Sequence, residues 1–159
     1  MAEEQNQQNQ PSIQIITQYI KDSSFENPHA PESLVSGWDA PETNVQISLG
    51  QQKVNENTFE SVLKLRVEAK NQKENKIAFI LDLQYAALVQ LANVPEENIS
   101  AVLMVEIPKL LFPFAREVIA KLTANGGYPP LYLAPISFEA MYIQEMQRMQ
   151  KEQQAAAGK

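Results

Sequence analysis

Very little in this chain could perform covalent chemistry. It has no cysteine, and its one histidine, His29, stands in a proline-rich loop, Asn27-Pro28-His29-Ala30-Pro31. A thiol nucleophile is therefore absent, and a lone loop histidine is far more commonly solvent-exposed than catalytic. A zinc site draws on several Cys or His ligands, so no metal or other cofactor is expected. Neither a G-x-G-x-x-G nor a G-x-x-x-x-G-K-[ST] run offers a phosphate cradle, and Gly126-Gly127 reads as the end of a helix. The expectation is a protein that is not an enzyme.

What the chain does carry is contact chemistry. Trp38, the alternating Val45, Ile47 and Leu49, the stretch Tyr128 to Pro135 and a Met-rich final segment are apolar and lie close to loops. Aromatic and Met side chains bury area without demanding one partner sequence, which suits extended, unfolded segments. Two readings stay open: these residues form the domain's own core, or they line a surface that grips another chain.

The elements that must position them are legible in outline. Ser12 to Glu26 is rich in β-branched and aromatic residues and reads as a strand, with a slip in alternation at Ile15-Ile16 that is either a bulge or a doubly buried middle. A loop with Trp38 leads to a half-buried strand around Val45 to Leu49. Next, Thr58 to Ala69 places Phe59, Leu63, Leu65, Val67 and Ala69 on one face, with Glu60, Lys64, Arg66 and Glu68 on the other. Asn71 to Asn75 reads as a hairpin turn into a fourth strand, 77–91. There Ile77, Phe79, Leu81, Leu83 and Tyr85 share a face, and Ala78 and Ile80 leave the opposite one with little polarity. Either an apposed copy covers that second face, or the strand end simply enters the core.

Helical signals follow. Pro95, Glu96 and Glu97 suit a helix start, and Pro108 is expected to interrupt that helix near Ile107. Leu111, Ala115, Val118 and Leu122 form an apolar stripe that ends at Asn125-Gly126-Gly127. The Pro-rich apolar connection to Pro135 is too Pro-rich for a helix and too greasy for an ordinary loop. Ser137 is a good N-cap for a last helix carrying Phe138, Met141, Tyr142, Met146 and Met149.

A length of 159 residues fits one domain, expected over 12–149, with disordered polar tails at 1–11 and 150–159. The net charge of −6 comes without a cluster of Lys and Arg, which argues against nucleic acid. No unbroken apolar run reaches the roughly 18 to 20 residues of a membrane span. The acidic start, Met1-Ala2-Glu3-Glu4, is unlike a signal peptide, so the expected compartment is the cytoplasm.

Three motifs in order carry a resemblance: Y-I-K-D-S-S-F-E-N-P-H-A-P at 19–31, L-F-P-F-A-R-E at 111–117 and G-G-Y-P-P-L-Y-L-A-P-I-S-F at 126–138. With them the chain resembles the SecB protein-export chaperones from about Ser12 to Met149. The resemblance implies an α+β fold, a four-stranded antiparallel sheet with helices on one face, and a homotetramer, a dimer of dimers with stacked sheets. It implies an ATP-independent holdase that keeps newly made precursors unfolded and hands them to the SecA motor of the Sec translocase. Asp22, Glu26, Ile80 and Asp82 match positions that meet SecA's small basic zinc-containing tail, the zinc belonging to that partner. Trp38, Val45, Ile47, Leu49, Tyr132, Leu133, Phe138, Met141 and Tyr142 are the expected client contacts, and Leu81, Leu83 and Tyr85 the expected oligomer interface. The competing reading is a small-ligand-binding or enzymatic α+β domain with a pocket under the last helix.

Overall fold

The computed structural model describes residues 9–158. Four strands, β1 (Ser12–Glu26), β2 (Glu42–Lys53), β3 (Thr58–Asn71) and β4 (Lys76–Ala92), form one antiparallel sheet in the order β1-β4-β3-β2. Helices lie on one face: α1 (Glu96–Ala101), a π-helical turn at Val102–Glu106, α2 (Ile107–Asn125) and α3 (Phe138–Ala157). The slip at Ile15-Ile16 is a bulge, with a second between Ile20 and Asp22; Ile16 is 48% exposed, so the doubly buried alternative fails. The β3–β4 turn is held by Asn71, whose buried Oδ1 accepts from the Lys73 and Glu74 amides, and Asn75 takes up the positive φ.

Pro108 does not interrupt the helix as expected; the chain accommodates it by widening one turn. The Ile107 N–H reaches back five residues to the Val102 carbonyl, and Pro108 has no N–H to give. The Leu103 carbonyl is met instead from the sheet, by Ser61 Oγ at 2.7 Å. A buried polar residue on an otherwise apolar strand face thus satisfies a carbonyl that a proline leaves exposed.

The core lies between sheet and helix. Leu63, Leu65, Val67, Leu81, Leu83 and Val89 meet Leu103, Ile107, Leu111, Ala115 and Ile119, all at most 2% exposed. The run Glu96–Asn125 is long and apolar enough to cross a membrane by length and composition alone, with mean hydropathy 1.4 over its best window. Here its apolar stripe is covered by the sheet.

At the end of α2, Tyr128 N–H bonds the Thr123 carbonyl and Gly127 N–H that of Ala124, a Schellman ending. The two glycines serve different ends. Gly127 has φ +90°, which other residues resist, whereas Gly126 has an ordinary φ but lies against the Phe25 ring, where a Cβ would overlap. The 27–41 loop is anchored at this same place. The Tyr128 hydroxyl lies 2.8 Å from Asn27 Oδ1, 2.8 Å from Ser33 Oγ and 3.1 Å from the Ala78 carbonyl. His29 is a structural tie rather than the solvent-exposed residue expected: it is half-buried and donates from Nδ1 to the Ile77 carbonyl at 2.8 Å.

Ser137 caps α3 by accepting from the Ala140 amide. Only Phe138 of this helix is buried, and the helix continues to Ala157, so a disordered tail over 150–159 is corrected to helix as far as Ala157. Most of the expected N-terminal tail, 1–8, lies outside the described residues.

Candidate functional site

Two surfaces gather the expected site residues, one on each face of the sheet. On the helix side, Ile47 and Leu49 of β2 face α3 across a cleft of about 240 Å³, with Met104, Met141, Tyr142 and Glu145 completing its wall. Met104 went unnoticed in the sequence because it sits in the π turn, where the ordinary helical phase that assigns faces is broken. On the other side of α3 a second open cleft, about 490 Å³, is lined by Val102, Val105, Tyr142 and Ile143, with Glu106 and Glu139 at its edge. Tyr142 lines both. The last helix therefore stands over apolar ground without sealing it.

The remaining expected contacts divide by burial. Val45 is 36% and Tyr132 63% exposed, the latter with the Arg116 guanidinium 5.5 Å from its ring. Leu133 and Phe138 are corrected: at 5% and 1% exposed they belong to the protomer's core, Phe138 packing edge-on against Phe112. The Pro-rich connection alternates, turning Leu133 inward and Tyr132 outward, so one greasy stretch serves both core and surface. Trp38 is not in the cleft between β2 and α3. It sits with the β3–β4 turn, its ring 5.8 Å from Lys76 Nζ and 6.1 Å from the His29 ring.

On the open face of the sheet, β1 and β4 pair so that Glu26 lies opposite Ile80, Ser24 opposite Asp82 and Asp22 opposite Gln84. The bulge after Ile20 resets the alternation of β1 and turns Asp22 and Glu26 to the side that carries Asp82. Asp22 and Glu26 are exposed, and Ile80 and Asp82 partly so. Asp82 accepts from Arg66 of β3, directly across the ladder, at 2.7 Å.

The far end of this face is unlike its sequence. Glu60 was expected on the polar side, yet it is 5% exposed and accepts from the Tyr19 hydroxyl (2.6 Å), Lys21 Nζ (2.8 Å) and Gln52 Nε2 (2.6 Å). Burial alone would raise its pKa; the bonds from Lys21, Tyr19 and Gln52 outweigh it and hold the carboxyl below its ordinary value. Tyr19 is pushed up to about 12 by burial and by its bond to Glu60. Three donors from two strands converge on one carboxylate, a pattern invisible to alternation along one strand.

The expected oligomer interface is also corrected. Leu81 and Leu83, at 0% and 1% exposed, lie under the helices within the protomer, so their side chains offer nothing to a second copy. Tyr85 is half-buried against Phe114, ring centroids 6.4 Å apart. On the second face of β4, Ala78 and Ala86 are buried within the protomer, while Ile80, Asp82 and Gln84 stay partly exposed.

The family model described as preprotein translocase subunit SecB matches residues 6–149. The chain belongs to the SecB family. The protein-export protein SecB of Nitrobacter winogradskyi is 46% identical over 144 residues, covering 91% of this chain and 89% of its own. That of Bradyrhizobium diazoefficiens is 44% identical over 148 residues, covering 93% and 88%. A SecB-like chaperone of Mycobacterium tuberculosis, solved with a peptide from an antitoxin, superposes with a TM-score of 0.64. It covers 79% of this chain and 91% of its own at 19% identity, which speaks to the fold. As a member of the SecB family the chain is an export chaperone and not an enzyme, and the ligand-pocket reading of the last helix is not favoured.

Proposed function

We propose that this member of the SecB family acts in the cytoplasm as an ATP-independent holdase, taking extended segments of precursors into the clefts beside α3 and passing them to SecA. The observation that carries this reading is the cleft walled by Ile47, Leu49, Met104, Met141 and Tyr142, apolar and open in a folded protomer. Burial of client side chains there supplies roughly 25 cal/mol per Å², offset by ordering of the client. The clefts repeat in each copy, so several weak sites act together on one long chain.

Self-association as a dimer of dimers has its support in other side chains than those expected. Ile13, Ile16 and Ile20 on the free edge strand β1 are 46–49% exposed, and Leu110 and Phe114 on the outer side of α2 are 52% and 47% exposed. A free edge with an isoleucine row invites a second copy. On the open face, Asp22, Glu26 and Asp82 around Ile80 suit the basic tail of SecA, opposite charge orienting an apolar contact.

Suppression of aggregation of an unrelated denatured protein, run beside light scattering for subunit number, tests the reading. Suppression at substoichiometric tetramer is expected. A monomer that leaves aggregation untouched and instead binds one small compound would overturn it.

A further inference from the structure

Glu68 of β3 lies directly opposite Ile80 as a further carboxylate on this face, and of the three read as the SecA-tail site, Asp22, Glu26 and Asp82, one is not free. Among the described residues Asp22 and Glu26 make no ion pair, whereas Asp82 is bonded by Arg66 Nη1 through its Oδ2. Arg66 is directly opposite Asp82 in the β3–β4 ladder, and both side chains are about two-fifths exposed, at 43% and 39%. Arg66 and Asp82 also stand with Asp22, Lys64 and Gln84 around one depression of about 420 Å³ on the open face. A cation arriving at Asp82 thus meets a cation already there, with Lys64 as a second positive charge beside it.

We propose that Arg66 is an intramolecular competitor for Asp82, so that a basic partner must displace the guanidinium before it can use all three carboxylates. This rests on the reading of the open face as the SecA-tail site and adds a regulation to it. The physical argument is one of magnitude. An exposed, single-bonded ion pair is weak, worth about a two- to fivefold change in an equilibrium, so Arg66 gives way at small cost, a cost that a cation with several contacts offsets more fully than one with a single contact. The same pair keeps Asp82 from adding its full charge to the face when no partner is present. The competitor therefore lowers affinity while favouring partners that present several positive charges at once. Because both groups reach water, salt should screen the competition as well as the docking.

The test is calorimetric titration of the full-length protein with the isolated zinc-loaded SecA tail, at low and at high ionic strength. The variants are Arg66→Gln, Arg66→Lys, Asp82→Asn and the Arg66→Gln/Asp82→Asn double. Arg66→Gln is expected to tighten binding about three- to tenfold at low salt, with the gain shrinking at high salt. Arg66→Lys keeps the charge and should stay near the wild type. In the Asp82→Asn background, removing Arg66 should recover only the smaller part of the gain that comes from lost repulsion. Equal or weaker binding by Arg66→Gln, with Asp82→Asn still weakening it, overturns the competitor and leaves the docking face standing. If Asp82→Asn changes nothing, the reading of the face fails first and the competitor with it. Melting temperatures should stay together, since neither side chain is buried.

Discussion

Replacing Tyr132 and Phe138 by alanine, one at a time, separates the gripping surface from the core that supports it. A tyrosine can bury about 150–250 Å². With 63% of Tyr132 exposed, roughly 100–150 Å² remains for a client, a ceiling of about 4 kcal/mol at ~25 cal/mol per Å². Ordering of the client chain should reduce this to about 1–2 kcal/mol, or about five- to thirtyfold in affinity. The fold loses only the Arg116 stacking, about 0.5–1 kcal/mol, which at this chain length is a melting shift of a few degrees. Phe138 is the reverse case. At 1% exposed it touches no client, and its removal leaves a cavity costing about 3–5 kcal/mol of stability. Fluorescence titration with an unfolded peptide, below the melting temperature of both variants, measures the first effect; thermal unfolding measures the second. If Phe138→Ala weakened peptide binding at an unchanged melting temperature, or Tyr132→Ala bound as the wild type does, sorting these contacts by burial would be refuted.

Three further outcomes follow from the geometry. Asp82→Lys should weaken the SecA tail about tenfold or more in calorimetry, placing a cation beside Arg66 where a carboxylate stood, and leave aggregation suppression intact. Glu60→Gln sets an amide N–H₂ among three donors and should cost about 2 kcal/mol in urea unfolding at neutral pH. Because the folded carboxyl titrates lower than the unfolded one, this contribution is complete above the ordinary value of 4.5 and is lost as pH falls through the folded value; the variant should lack that acid limb, and a parallel acid profile would refute the network. Gly126→Ala should cost about 1–3 kcal/mol by driving a methyl into the Phe25 ring, despite its ordinary φ, and Phe25→Leu in the same chain should recover part of the loss in thermal unfolding.

By itself the sequence determined the local elements and the chemistry the chain lacks. The bounds of β1, the Asn71 turn, the helix ending at Asn125 and the Ser137 cap depend on φ preferences and neighbouring hydrogen bonds, which a few adjacent residues specify. Tertiary structure decided which apolar residues are hidden. Tyr132 and Leu133 are neighbours of similar hydrophobicity, and only the path of the connection over α2, pinned by the Leu131 amide on Thr123 Oγ1, sends one out and the other in. The same holds for charge. Glu60 and Arg66 lie on one side of β3, yet the first is buried by donors from β1 and β2 while the second reaches Asp82 on β4 in the open. Alternation assigns a side chain to a face; what covers that face arrives from residues tens of positions away, and burial is a property of that meeting.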